Sequence, residues 1–255
     1  MKILTIFLVI IIFFILYILL FIKKTDKYKD DYIYNYLDIK NKLKSGDIIL
    51  FSCKNNKSFY NSIEYYLRTE LIGSEYGHVG IIIRNKDKLF ILECVSNNHC
   101  AKEYALYLNN LKKGGIRIVE LETLLKEYLK ENDAIFAIKF ISNEIPNNII
   151  LKNIEKYIDK TFEDKYKLYI MGFMDVCISH NLSEKINIFC GNNNKSMCSE
   201  FVHNFLYECN VLKKYQSKLF WPHLITNDEL FSFLEIIKYS KPFKFKFGNH
   251  NNNYN

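Results

Sequence analysis

Apolar and polar positions divide the chain into an anchor and a body. Ile3 to Ile22, ILTIFLVIIIFFILYILLFI, is an apolar run interrupted only by Thr5 and Tyr17. About 20 such residues, wound as a helix at about 1.5 Å per residue, span a bilayer core. Lys23-Lys24 follows directly, without the small residues that mark a cleavage site, so the pattern predicts an uncleaved single-pass anchor over residues 1–22. Lys23, Lys24, Lys27 and Lys29 lie on its C-terminal side, and the positive-inside bias puts the body in the cytosol.

In the body the periodicity changes from segment to segment. Residues 23–42, charged and rich in Tyr, read as a linker or short helix. Gly46-Asp47 makes a turn before a buried strand, Ile48 to Phe51. Ser58 to Leu71 shows helical spacing, with Ser58 as N-cap. Strands His78–Ile83 and Leu89–Val95 follow, joined by the polar tetrad Asn85-Lys86-Asp87-Lys88 as a hairpin. Gly114-Gly115 opens another strand, Thr123 caps a helix through Lys130, and Ala134 to Ile141 is a strand. Pro146 stands in the first turn of a helix running to about Lys160. Residues 161–195 show no regular pattern, with Asn192 to Asn194 a loop, and Ser196 to Cys209 is a helix. Lys241 to Phe247 alternates as a final strand, and 249–255 is a polar tail. Strands lie close in sequence with helices before and after. This predicts an α+β domain on an antiparallel sheet over residues 43–240, followed by a C-terminal strand and tail over 241–255.

Composition narrows the class. Of 255 residues, 49 % are hydrophobic and 16 % aromatic, enough for a true core. The net charge of +7 favours an anionic membrane surface or an acidic substrate. No Arg-rich run or zinc-finger spacing accompanies it, so no nucleic-acid partner is expected. Seven cysteines, odd in number and without CxxC, argue against a disulfide framework and for a reducing compartment. Cys94-His99-Cys100 and Cys198-His203-Cys209 bring ligand types together but lack standard zinc spacing, so no metal or cofactor is predicted. Oligomeric state is not legible.

Three residues carry candidate chemistry. Cys198 falls in the first turn of the Ser196–Cys209 helix if Ser196 caps it. There the helix dipole favours a thiolate, and free N–H groups are available to an oxyanion. His78 heads the strand GHVGIII, at its mouth rather than within its apolar run. Glu93 is the single charge in the apolar strand LFILECV, and a charge in such a run needs a partner. Two hairpin registers bring it to His78. In one, the two residues stand opposite each other. In the other, Arg84 opposes Leu89, Glu93 opposes Gly80, and Glu93 lies diagonal to His78 on the same face. A carboxylate there fixes the tautomer of the ring and stabilises imidazolium.

GDIILF, GHVGII with a Glu on the next strand, and CSEFV opening a helix resemble the circularly permuted papain-like hydrolases. These form the NlpC-related, YiiX/YebB-like group, with poxvirus and other large-DNA-virus members. The resemblance covers most of residues 43–225. It implies a permuted papain-like fold with the chain order His78, Glu93, Cys198, and acyl transfer on amide or ester bonds of a peptide or lipid substrate. Asp159-Lys160-Thr161-Phe162-Glu163-Asp164 departs from the Gly-x-x-Tyr-Asp-like element of that group. Trp221-Pro222 matches a Pro-containing turn after its Cys helix. The competing expectation is a catalytically inactive, membrane-anchored module that uses the same fold for binding or assembly.

Overall fold

The computed structural model describes residues 34–53, 75–96, 100–108, 114–131, 134–162, 195–215 and 222–248, all within one compact unit, Tyr32–Asn255. The expected anchor over 1–22, the helix Ser58–Leu71, the loop Asn192–Asn194 and the tail 249–255 lie outside the described residues. Among the described residues no helix is long and apolar enough to cross a membrane.

In chain order the elements are β1 (Tyr34–Asn35), α1 (Tyr36–Lys40), β2 (Ile48–Cys53), β3 (His78–Asn85), β4 (Lys88–Ser96), β5 (Leu106–Tyr107), β6 (Gly114–Glu120) and α2 (Leu121–Glu131). There follow β7 (Ala134–Lys139), α3 (Asn147–Ile154), β8 (Thr161–Phe162), β9 (Lys195–Ser196), α4 (Cys198–Glu208), α5 (Pro222–Thr226), α6 (Asp228–Leu234) and β10 (Phe243–Lys246). Eight strands form one sheet in the order β1-β10-β7-β2-β3-β4-β6-β5. Its ladders are antiparallel except β1 with β10. A short parallel pair, β8 with β9, stands apart. The α+β architecture on a largely antiparallel sheet is therefore present.

Both faces of this sheet are buried, which is why its inner strands read as continuous apolar runs instead of alternating. Ile48, Leu50, Val79, Ile81, Leu92 and Ile116 point to one face, where Phe201, Val202, Phe205 and Leu206 of α4 cover them. Ile49, Phe51, Ile82, Ile91, Val119 and Phe136 point to the other, under Leu121, Leu124, Leu125 and Tyr128 of α2. Tyr36 and Ile39 of α1 join the second cluster. The Asn35 side chain caps α1, accepting from Leu37 N–H at 3.0 Å. The folded sheet thus takes in residues before 43, and β10 lies inside it between β1 and β7.

Three local expectations change. Helix α2 begins at Leu121, straight after β6, so Thr123 sits inside its first turn rather than ahead of it. Pro146 is the N-cap of α3 rather than its first helical residue, and the helix tightens to a 3-10 turn over Glu155–Tyr157 before residue 160. Ser196 does not cap α4. It is held in extended backbone by pairing with Phe162, and the cap passes to Met197.

Asp47 organises the turn before β2. It is fully buried. One carboxylate oxygen accepts from Lys44 N–H and the other from Ile141 N–H, each at 2.8 Å. Burial pushes its pKa up to about 6 against these bonds. Beside it Gly46 has φ +102°, and a Cβ there would stand 2.7 Å from the Ile145 side chain. Farther along, buried Lys139 reaches the Ile225 carbonyl at 2.9 Å, Asp228 at 3.2 Å and the Phe231 ring at 4.4 Å, tying α5 and α6 to β7.

Asp47→Asn keeps the shape of the side chain but turns an NH2 group toward one of two backbone donors. The variant is expected to lose about 2 kcal/mol of stability, seen as a fall of roughly 4–8 °C in Tm for a domain of this size. An unchanged melting curve would refute this role for Asp47.

Candidate active site

The hairpin β3–β4 sets the geometry. Asn85 pairs with Lys88 across a turn at Lys86-Asp87, and Arg84 pairs with Leu89. This is the register that puts Glu93 across from Gly80, diagonal to His78. Glu93 is fully buried, and the His78 side chain is 12 % exposed. His78 Nε2 and Glu93 Oε2 are 2.6 Å apart. A side-chain hydrogen bond with Cys198 also raises the pKa of the His78 ring. The three residues singled out in the sequence therefore meet at the end of β3.

Gly80 permits this meeting. A Cβ on it would lie 2.5 Å and 2.6 Å from Ile91 side-chain carbons and 3.3 Å from Glu93 Cβ. On the other side Phe51, paired with His78 across β2–β3, brings its ring to 5.5 Å from the imidazole and stacks on Tyr128 at 4.6 Å.

Cys198 is the first helical residue of α4 and is 8 % exposed. Phe201 N–H bonds the Met197 carbonyl at 2.9 Å, closing the first turn. The Glu200 carboxylate turns back toward the Met197 N–H at 3.5 Å and the Ser196 hydroxyl at 3.3 Å. The departing segment around residue 160 supplies β8, whose pairing with β9 leads the chain into this helix. From β4, the Cys94 thiol donates to the Ser196 carbonyl at 3.4 Å. Burial first, then the nearby Cys198 and Glu200, pushes the Cys94 thiol well up, so it stays protonated.

The electrostatics favour a protonated imidazole. Burial alone would lower the His78 pKa. The Glu93 charge and the bonds to Cys198 and Glu93 outweigh it and raise the pKa to about 9. One further residue, not singled out in the sequence, completes the arrangement. Arg117 on β6, directly opposite Glu93, is fully buried. Its Nε donates to Glu93 Oε1 at 2.8 Å, a terminal nitrogen lies 2.7 Å from the same oxygen, and the other donates to the Cys100 carbonyl at 2.9 Å. The available signal was a lone charge in the apolar run IRIV, the same signal that marked Glu93.

Described members of the Cys198-His203-Cys209 set have other partners. His203 is spent on the Lys213 carbonyl at 3.1 Å and on Asn204 at 3.3 Å, and burial lowers its pKa. The Cys209 sulfur takes a bond from Asn153 at 3.5 Å. His99 lies outside the described residues, and among those described no three His, Cys, Asp or Glu side chains form a metal-holding group.

Gly80→Ala should overpack the hairpin against Ile91 and lower stability by about 1–3 kcal/mol. Ile91→Ala in the same chain removes the colliding carbons and should recover part of the lost Tm. A single variant as stable as the parent would show that the two strands need no such close approach.

Comparison with known proteins adds kinship. No protein-family model matches the chain. The crystal structure of the metalloprotein yiiX from Escherichia coli O157:H7 superposes with a TM-score of 0.38 and 12 % identity, over 73 % of this chain and 77 % of that one. The uncharacterized protein R372 of Acanthamoeba polyphaga mimivirus is 44 % identical over 216 residues, spanning 84 % of this chain and 86 % of that protein. At that identity and coverage, the chain belongs to the family of this mimivirus protein.

Proposed function

We propose that this chain is a membrane-anchored cysteine hydrolase or acyltransferase of permuted papain-like architecture, acting on an amide or ester bond of a peptide or lipid substrate. The observation that carries the reading is one imidazole bonded to two partners, Glu93 at 2.6 Å and the Cys198 side chain. A buried carboxylate behind a histidine that faces a thiol at a helix mouth is the arrangement nucleophilic acyl transfer needs.

In this mechanism the Cys198 proton passes to the His78 ring, giving the imidazolium that the raised pKa favours, with the ring nitrogen Nε2 held by Glu93. The sulfur adds to the substrate carbonyl carbon, and first-turn N–H groups of α4 receive the oxyanion. The imidazolium returns its proton to the leaving amine or alcohol as the C–N or C–O bond breaks, and a thioester remains on Cys198. Water, or a second acceptor, gives a proton to His78 and attacks the thioester. The acyl product departs and the thiol re-forms. The apolar run Ile3–Ile22 supports the membrane part of the reading, and the lysines after it support a cytosolic catalytic domain. With the site near a bilayer, lipid or lipidated substrates gain weight over soluble peptides.

The test is hydrolysis of a panel of peptide and phospholipid substrates, with labelling by a cysteine-reactive acyl probe. Cys198 should label faster than Cys94 or Cys209, whose thiols burial holds up. His78→Ala should lower kcat/KM by about 10²–10⁴-fold, and Cys198→Ala should abolish turnover. Equal labelling of all cysteines with no turnover would leave a binding module. The pH profile has a sign. His78 is raised in the folded chain from 6.5 to about 9, so its proton is fully held at low pH and lost as pH rises through about 9. Turnover should fall on that alkaline limb, where the proton donor is lost. Alkylation of Cys198 by iodoacetamide needs no proton donor and should not fall there. Deleting residues 1–22 should move the protein from the carbonate-resistant membrane fraction to the supernatant, and retention in the membrane would overturn the anchor.

A further inference from the structure

Arg117 is a fully buried cation on the same sheet as His78 and Glu93. Its partner is Glu93, placed directly opposite by the β4–β6 register. Two of its nitrogens converge on Glu93 Oε1, at 2.8 and 2.7 Å, while Glu93 Oε2 meets His78 at 2.6 Å. The third donor holds the Cys100 carbonyl at 2.9 Å. Each oxygen of the carboxylate is therefore committed to a different cation. Rotation about its terminal bond would break both contacts. A buried ion pair is a poor device for stability, because an apolar pair of the same volume often serves as well or better. What an apolar pair cannot do is present a fixed, ionised oxygen to an imidazole.

We propose that Arg117 is a positioning residue for the reacting pair: by clamping Glu93 Oε1 it keeps that carboxylate ionised and turned so that Oε2 faces His78 Nε2. This rests on the cysteine hydrolase reading for its catalytic meaning, though not for its geometry. Among the described residues, the titratable groups that act on His78 or on Cys94 beside Glu93 include Cys198 and Glu200 of α4. Arg117 adds a fixed positive charge to this set. Removing it raises the proton affinity of all the acids around it, and of the His78–Glu93 pair first.

The experiment uses the full chain in detergent, with isotope-labelled histidine, and follows the His78 ring by NMR against pH. The hydrolysis profile is measured in parallel. Arg117→Met should move the His78 midpoint upward by about one unit and raise the acid limb of kcat/KM, which a purely structural loss would not do. Arg117→Lys restores the charge but not the fork, so the midpoint should return while turnover stays reduced by roughly 10-fold. On a Glu93→Gln background, Arg117→Met should cause no further loss of turnover, since the residue acts through that carboxylate. An unmoved midpoint in folded Arg117→Met overturns the proposal, as does an additive loss on the Glu93→Gln background. If Arg117→Met does not fold, Arg117→Lys decides, and parental turnover in that variant overturns the clamp. If the parent chain hydrolyses nothing and Cys198 is inert, the hydrolase reading fails, while the midpoint shift still tests the clamp.

Discussion

A fully buried carboxylate between two cations organises the middle of this sheet. Glu93 is fully buried, and its charge is tolerable there because His78 engages one oxygen and Arg117 the other. An isolated carboxylate in that setting would take up a proton instead. The arrangement requires three adjacent strands in fixed register: β3 for the imidazole, β4 for the acid and β6 for the guanidinium. A slip of one residue on any of them would turn its charged side chain to the opposite face and strand the others. The apolar pairs along the same ladders, Ile81 with Leu92, Ile82 with Ile91 and Cys94 with Ile116, hold the register that the charges need.

The sheet lies between two apolar layers with different tasks. The layer under α2 is aromatic beside the imidazole, with Phe51, Tyr128 and Phe136 in mutual ring contact. The opposite layer carries α4, and Phe201, Val202, Phe205 and Leu206 seat that helix on β3 and β4. The thiol and the acid therefore belong to opposite faces. His78, at the first residue of its strand, is where the two faces meet. A histidine one or two residues farther into β3 would lie between flanking strands and be unable to serve both.

Much of the site was legible because it breaks local rules. Glu93 stood out as a charge inside an apolar run, His78 as a polar head on one, and Cys198 as a thiol at a helix start. The hairpin between His78 and Glu93 is short, so its register was open to only a few choices. Arg117 broke the same rule in the run IRIV. Its partner lies across a connection of some twenty residues, whose length gives no register. The placement of Ser196 as a cap failed for a related reason. A distant segment, Thr161–Phe162, draws it into an extended pairing that local propensity does not reveal. Buried Lys139 was likewise invisible, since Asp228 and Phe231 reach it from far along the chain. The α+β class and the antiparallel hairpin came from nearby residues. The edges of the sheet came from remote ones.

The parallel pairing of β1 with β10 joins the two ends of the described chain, with Tyr34 beside Phe245 and Asn35 beside Lys246. Entry and exit of the domain are neighbours on one margin of the sheet, and four strands of the same sheet separate β1 from β4. The connectivity is thereby almost a ring. Fraying at either terminus would therefore open the same margin, while the strands that carry Glu93 and Arg117 lie on the far side of β2 and β3.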